Sequence, residues 1–341
     1  MYSLITGGAG FIGSHVAKHC IGLGHSVVIL DDLSGGRPDN VPAGAELIRG
    51  SICDSELCND LFTRYKFTYV YHLAAYAAEG LSHFIRRFNY ETNVIGSVNL
   101  INAAVNIGTV ERFVYTSSIA IYGKGQVPMV EDMSPAPEDP YGIAKFAVEL
   151  DLRAAFRLFG LPHTIFRPHN VYGEGQNIGD PYRNVIGIFM NQLLSGKRLT
   201  VFGDGSQTRA FSYIGDVAPI IAKCVLLSEA ENEVFNVGAD NTTSVAELAA
   251  IVARAFGVEA NVEYLPARNE VLHAYSSHDK VRRVFGTDSA TTLEAGIGNM
   301  AKWVRAVGVW SDKPFDSVEV TKNMPEVWQS RLLDRSTLLT L

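Results

Sequence analysis

Tyr141 and Lys145 stand four positions apart in PYGIAKFAVEL (140–150), a stretch that reads as a helix opening near Pro140. Four residues are about one helical turn, so the phenol and the ammonium share a face. A free phenol, with a pKa of about 10, is too reluctant an acid to serve as a base at neutral pH. A cation one turn away favours the phenolate and brings proton exchange with a substrate hydroxyl within reach. The same spacing also arises in helices with an exposed Lys and a half-buried Tyr. Ser118 narrows the choice: it ends the apolar run RFVYTSS (112–118), 23 residues before Tyr141. A hydroxyl at the carboxyl end of a strand can reach the same substrate oxygen and stabilise charge that develops there. Ser117 could contact a cofactor or simply cap a turn.

A second group of residues points to redox chemistry. SLITGGAGFIGSH (3–15) places Gly7, Gly10 and Gly13 between a strand-like run and a helix-like one. In such a turn one glycine makes the bend, one lets the backbone approach a pyrophosphate, and one lets the helix pack on the strand. The helix start then offers N–H groups and a positive dipole end to phosphates. SVVIL (26–30) leads into Asp31, 18 residues after Gly13. An acid there bonds the adenosine ribose hydroxyls and repels a 2′-phosphate, so NAD is expected rather than NADP. Asp31 or Asp32 could instead only cap the turn DDLSGG, and Asp32 is the one expected to do so. A positive nicotinamide ring would add to the pull of Lys145 on the Tyr141 phenol, coupling proton and hydride exchange at one carbon.

These residues need a frame that holds strand ends and helix starts together. Strand-like runs at 3–6, 26–30, 45–50, 69–75, 112–118 and 163–168 alternate with helix-like stretches at 11–22, 88–106 and 141–159. That rhythm predicts an α/β fold of the Rossmann type, a doubly wound parallel sheet covered on both faces. After about residue 170 the pattern loosens. GEGQNIGDPYRN (173–184) reads as a loop over a site, and IGIFMNQLLSG (186–196) as a helix. VAPIIAKCVLL reads as a helix with Pro219 in its first turn. The expected division is a dinucleotide-binding domain over 1–170, joined again by about 211–240. A smaller C-terminal α/β lobe for the substrate would take 171–210 and 241–341.

The 341 residues are 47% hydrophobic, enough for a sizeable core, and carry a net charge of −7. That balance argues against binding a nucleic-acid backbone, but a few placed arginines can still hold a small anion. Cys20, Cys53, Cys58 and Cys224 form no C-x-x-C pair, so neither a metal site nor a disulfide framework is expected. Cys58 and Cys224 read as small buried hydrophobes. MYSLITGGAG has no basic region before a long apolar one, and no window approaches a membrane span. A cytoplasmic enzyme is the expectation.

The chain resembles the extended short-chain dehydrogenase/reductase family, and within it the nucleotide-sugar epimerases of the UDP-glucose 4-epimerase type. The likeness runs over roughly 2–285, through TGGAGFIGSH, DDLSGG, HLAA, NYETNVIGSVNLI, YTSSIAIYG, PYGIAK, FRPHNVYG, VFGDGSQTRAFSYIGDVA and FNVGADNTTSV. It implies that Gly7, Gly10, Phe11, Ile12, Gly13 and Asp31 hold NAD. Leu73, Ala74 and Ala75 would line the cofactor, Asn93 would contact it from its helix, and Ser51 and Ile52 would frame the adenine. Ser118, Tyr141 and Lys145 would be the catalytic set, with Lys145 also on the nicotinamide ribose and Ser117 nearby. Asn170 would face the sugar diphosphate, Phe202 the uracil, and Arg209 and Arg268 the pyrophosphate. A homodimer through the helices at 88–106 and 141–159 is also implied. The chain departs from the pattern in three places. Ser51 follows Gly50 where many relatives have aspartate, Ala210 interrupts the usual Arg-Asp-Phe, and NEVLHAY (269–275) is displaced.

The resemblance also bears on the reaction. Dehydratases of this kind carry an Asp-Glu pair after the catalytic hydroxyl, and decarboxylating relatives keep a Glu there. Ile119 and Ala120 occupy those positions here and cannot transfer protons. That leaves 4-epimerisation of a UDP-hexose through a transient 4-keto sugar. Asn170 in RPHN resembles enzymes for neutral sugars, and a small Ala274 would leave room for a 2-acetamido group. The alternatives are another nucleotide-sugar oxidoreductase, a UDP-glucuronate 4-epimerase, or a non-catalytic NAD-binding protein.

Overall fold

A computed structural model describes residues 1–125, 127–267, 271–287, 290–311, 315 and 317–329. Its centre is one sheet of seven strands: β1 (Tyr2–Thr6), β2 (Ser26–Asp31), β3 (Ala45–Arg49), β4 (Tyr69–His72), β5 (Arg112–Thr116), β6 (His163–Pro168) and β7 (Glu233–Val237). All neighbours are parallel, in the order β7-β6-β5-β4-β1-β2-β3. The strands are apolar almost throughout because helices cover both faces. Alternation then sorts them. Leu4, Val28, Leu30, Phe113 and Tyr115 face one helical layer, while Ile5, Val27, Ile29, Val114 and Phe166 face the other. The first layer contains α2 (Ser55–Tyr65), α3 (Gly96–Ile107) and α4 (Pro140–Phe159). The second contains α1 (Phe11–Gly22) and the helix Ile214–Lys223, which keeps Pro219 inside its first turns.

The chain adds β2 and β3 on one side of β1 and β4 to β7 on the other. The connections therefore part above the carboxyl ends of β1 and β4 and leave a crevice, where such folds bind ligands. Two differences from the expected elements matter there. β4 stops at His72, so Leu73–Ala75 is a loop at the crevice. The helix expected at 88–106 is three pieces, Arg86–Tyr90, a π turn at Glu91–Ile95, and α3. The π turn swings the Asn93 carboxamide onto the backbone of Tyr76, a contact a regular helix period would not aim there.

The lobe packs Val185–Leu194, Val245–Phe256 and Leu293–Val307 around Leu199, Val201 and Phe211. The interval 241–341 is not confined to it. The helix Asp279–Phe285 inserts Val281 and Phe285 into the core of the large sheet, and residues near the C-terminus pack on helices 79–90. Cys20, Cys58 and Cys224 are buried and Cys53 is exposed, all as free thiols. Among the described residues no helix is long and apolar enough to cross a membrane.

Candidate active site

The turn from β1 into α1 has no room for side chains. A Cβ on Gly7, at φ +69°, would stand 2.8 Å from the Ala74 backbone, and one on Gly13 would stand 2.1 Å from the Gly7 carbonyl oxygen. Gly10 caps α1 with no side-chain acceptor, so the first-turn N–H groups of Phe11, Ile12 and Gly13 open onto the crevice. At the end of β2, Asp31 accepts Ala9 N at 3.0 Å and Leu33 N at 2.8 Å. Burial pushes its pKa up and these backbone donors pull it back. Asp32 accepts Ser34 N at 2.8 Å, so Asp32 does cap the turn. Asp31 also braces the turn, and four lone-pair positions still leave it capacity for ribose hydroxyls.

The loop after β4 is held from below. His72 bridges Thr6 Oγ1 and Ser97 Oγ, each at 2.8 Å, and burial depresses it to about 3, so the ring is neutral. Thr6 Oγ1 accepts Ala74 N at 3.2 Å. Asn93 accepts Tyr76 N at 2.9 Å and donates to Tyr76 O at 3.2 Å. Asn93, expected at the cofactor, is fully buried beneath this loop and is not on the cleft wall. Its carboxamide is consumed by the peptide group it holds, so it positions Leu73, Ala74 and Ala75.

Asp139 starts α4 by accepting Gly142 N at 2.9 Å, with Pro140 at the first helical position. This sets Tyr141 and Lys145 on the face of α4 toward the end of β5. Lys145 Nζ donates to Thr116 O at 2.8 Å and lies 5.8 Å from the Tyr141 ring centre. Ser118 Oγ accepts Ala120 N at 3.1 Å, and its hydroxyl favours the ionised form of the Tyr141 phenol. Burial holds the Tyr141 phenol above its ordinary range, the opposite of the lowering expected from Lys145. Desolvation pushes the phenol up; Glu79 and Asp139 push the same way, while Ser118 and Arg183 oppose them. Desolvation pushes Lys145 down to about 7, and Glu149 one turn on partly restores it. Glu149 is itself buried in a two-pronged pair with Arg167, at 3.0 and 2.6 Å, and Arg167 donates to Tyr122 OH at 2.7 Å.

One cleft of about 1890 Å³ contains these groups. A pocket for one small ligand is roughly 300–1,000 Å³, so there is space for two molecules side by side. Its walls include every described residue named from the sequence except Asn93, from Gly7, Asp31, Ser51 and Ile52 at one end to Asn170, Phe202 and Arg209 at the other. Arg209 is anchored by the carbonyls of Thr208, Leu272 and Val271 at 2.6–3.0 Å. Ala274 pairs with Arg209 in register and lies on the same wall. Arg268 lies outside the described residues. Buried Thr116 Oγ1 and Ser117 Oγ make no hydrogen bond, although both residues line the cleft. A glycine cradle, an open helix start, an acid after β2 and orphaned hydroxyls together fit a dinucleotide. Sequence reasoning missed Glu79 and Arg183, whose charges act on Tyr141, because no spacing rule ties them to α4.

Residues 3–238 match the NAD dependent epimerase/dehydratase family. The UDP-glucose 4-epimerase of Mycolicibacterium smegmatis is 33% identical over 315 residues, covering 89% of this chain and 99% of that one. The structure of UDP-glucose 4-epimerase with UDP-glucose from Thermotoga maritima matches with a TM-score of 0.84 and 34% identity, over 90% of this chain and 99% of that one. The Thermus thermophilus UDP-glucose 4-epimerase complex with NAD matches with a TM-score of 0.84 and 30% identity, over 89% and 99%.

Proposed function

The chain belongs to the NAD dependent epimerase/dehydratase family, and from that premise we propose that it is an NAD-dependent isomerase that interconverts UDP-hexoses at carbon 4. The observation that carries the reading is the set Ser118, Tyr141 and Lys145 at the junction of a cradle for a dinucleotide and a second wall of Asn170, Phe202 and Arg209. The named relatives are UDP-glucose 4-epimerases, which supports a UDP-hexose as substrate.

Bound NAD supplies reversible hydride acceptance from carbon 4. The side chains supply the rest. The Tyr141 phenolate, favoured by the positive nicotinamide ring of bound NAD, takes the proton of the 4-hydroxyl and later returns it to the same oxygen. Ser118 holds that oxygen while its charge changes. Lys145 stays near neutral pKa between Thr116 O and Tyr141 and feeds the phenol's proton balance. Arg209 holds the diphosphate while the ketosugar turns over, because its own fork is already fixed by three carbonyls. Ile119 and Ala120 follow Ser118 on the cleft wall, so no acid or base stands there to remove water from carbons 5 and 6. A homodimer across α3 and α4 fits the exposed Ile95, Ile143 and Leu150; light scattering that returns the mass of one chain would exclude it.

NMR of the products tests the proposal. UDP-glucose should give UDP-galactose with no net change in absorbance of reduced nicotinamide. Stoichiometric oxidation or reduction of the nicotinamide would instead make the protein a sugar-nucleotide oxidoreductase.

A further inference from the structure

After the helix Leu293–Val307, Trp310, Val320 and residues 322–328 line the cleft. Trp310 exchanges hydrogen bonds with Asn191 at 2.9 and 3.0 Å, and its ring carries Arg37 at 4.3 Å, from the opposite rim. Phe315 N donates to Tyr182 OH at 3.3 Å, and the Phe315 ring packs between Tyr76 and Phe88 at 5.2 and 4.8 Å. Glu319 spends both carboxylate oxygens on backbone N–H groups, Arg87 at 2.7 Å and Phe88 at 2.9 Å. Trp328 is buried against Phe84 and Tyr182, and its edge lies 3.3 Å from where a Gly80 Cβ would be. Val320, Lys322, Asn323, Met324, Val327 and Trp328 all contribute to the cleft wall.

The position of this strap along the cleft follows from its floor. Gly80 lies in the short helix Glu79–Ser82, where Ser82 Oγ donates to Asp139 at 3.4 Å, and Asp139 caps the start of α4 beside Tyr141. Met324 and Trp328 therefore stand over the Tyr141 end of the cleft, while Trp310 sits on Arg37 near Asp31. The strap also has no place in the family match, which ends at residue 238. Relatives aligned over 99% of their own length leave about a tenth of this chain unmatched.

We propose that Val320 and residues 322–328 form the outer wall of the hexosyl subsite, latched by Phe315 and Glu319, and determine which sugars this cleft accepts. The inference rests on the UDP-hexose reading above. The wall suits a pyranose: exposed Val320 and Val327, backed by buried Met324 and Trp328, offer apolar surface to ring C–H groups, and Lys322 and Asn323 offer donors to hydroxyls. Glu319 latches the wall without lining the cleft. Selectivity among sugars would thus be set by a segment remote from the catalytic set, and this chain's preference would differ from that of relatives that share Ser118, Tyr141 and Lys145.

The test compares the parent protein with Glu319→Ala and Lys322→Ala on UDP-glucose, UDP-galactose, UDP-N-acetylglucosamine and UDP-glucuronate. Bound NAD and the Kd for UDP alone should stay within twofold, while the ratios of kcat/KM among the sugars shift tenfold or more. Ratios unchanged within twofold overturn the proposal. Hydrogen exchange on the unaltered protein gives a second reading that needs no variant to fold. Amides of 317–329 should be slowed by a UDP-hexose and not by UDP. Equal slowing by both, or protection at Phe202 and Arg209 without any at the strap, overturns the strap alone. No protection at either place by any UDP-sugar overturns the UDP-hexose reading and the strap with it.

Discussion

Burial sets the ionisation of both Tyr141 and Lys145, the proposed catalytic pair, and it moves them in opposite directions. The Tyr141 phenol is pushed up and the Lys145 ammonium down to about 7, because each loses water around its charged form. Replacing Tyr141 with Phe removes the proton carrier and leaves the packing almost intact, so kcat should fall by about 10²–10⁴ with Tm nearly unchanged. Lys145 also leaves a mark on stability. Its folded pKa near 7 lies below the ordinary 10.5, so between these values the unfolded chain binds more protons than the folded one. Stability contributed by this group therefore rises with pH across that window and is absent below it. The urea midpoint should climb from pH 7 to 10 more steeply in the parent than in Lys145→Met; equal slopes would show that Lys145 is not depressed. Asp31→Ala should cost NAD retention by about 10–100-fold, the worth of a charge-assisted hydrogen bond. It should also lower Tm, because Ala9 N and Leu33 N lose their acceptor.

Elements hold these groups through contacts that sequence patterns reveal unevenly. Gly13 was readable: its spacing from Gly7 implies close packing, and the 2.1 Å approach to the Gly7 carbonyl shows why. Gly13→Ala should strip NAD from the purified protein, measured as the ratio of bound dinucleotide to chain. Tyr141, Lys145 and their helix were readable too, since Asp139 and Pro140 mark its start. Asn93 was expected at the cofactor from its helix; it lies in the π turn Glu91–Ile95 and bonds Tyr76 N and O and Asn89, partners that an apolar period does not reveal. The Glu149–Arg167 pair behind Lys145 was invisible, as it joins positions 18 residues apart across α4 and β6. Glu149→Gln would leave the Arg167 cation buried without its partner. That should cost about 3–5 kcal/mol in denaturant unfolding, and Lys145 would lose the one charge that raises its pKa.

At the scale of the molecule, the crossing order of seven parallel strands puts the glycine turn, the loop after β4 and the end of β5 around one crevice. That much followed from alternating strand and helix signals, since few topologies satisfy them. The traffic between lobes did not. The helix Asp279–Phe285 returns to the large core, where Phe285 packs on Phe166 and Phe235, and Glu319 reaches the backbone of Arg87, 232 positions away. The central claim is that one cleft removes hydrogen from carbon 4 of a UDP-hexose and returns it to the opposite face. UDP-glucose labelled with deuterium at carbon 4, turned over in ordinary water, tests this most directly. The account predicts UDP-galactose that keeps the deuterium at carbon 4 in its proton and deuterium NMR spectra. Loss of the label to water, or a product that is not the 4-epimer, would contradict it.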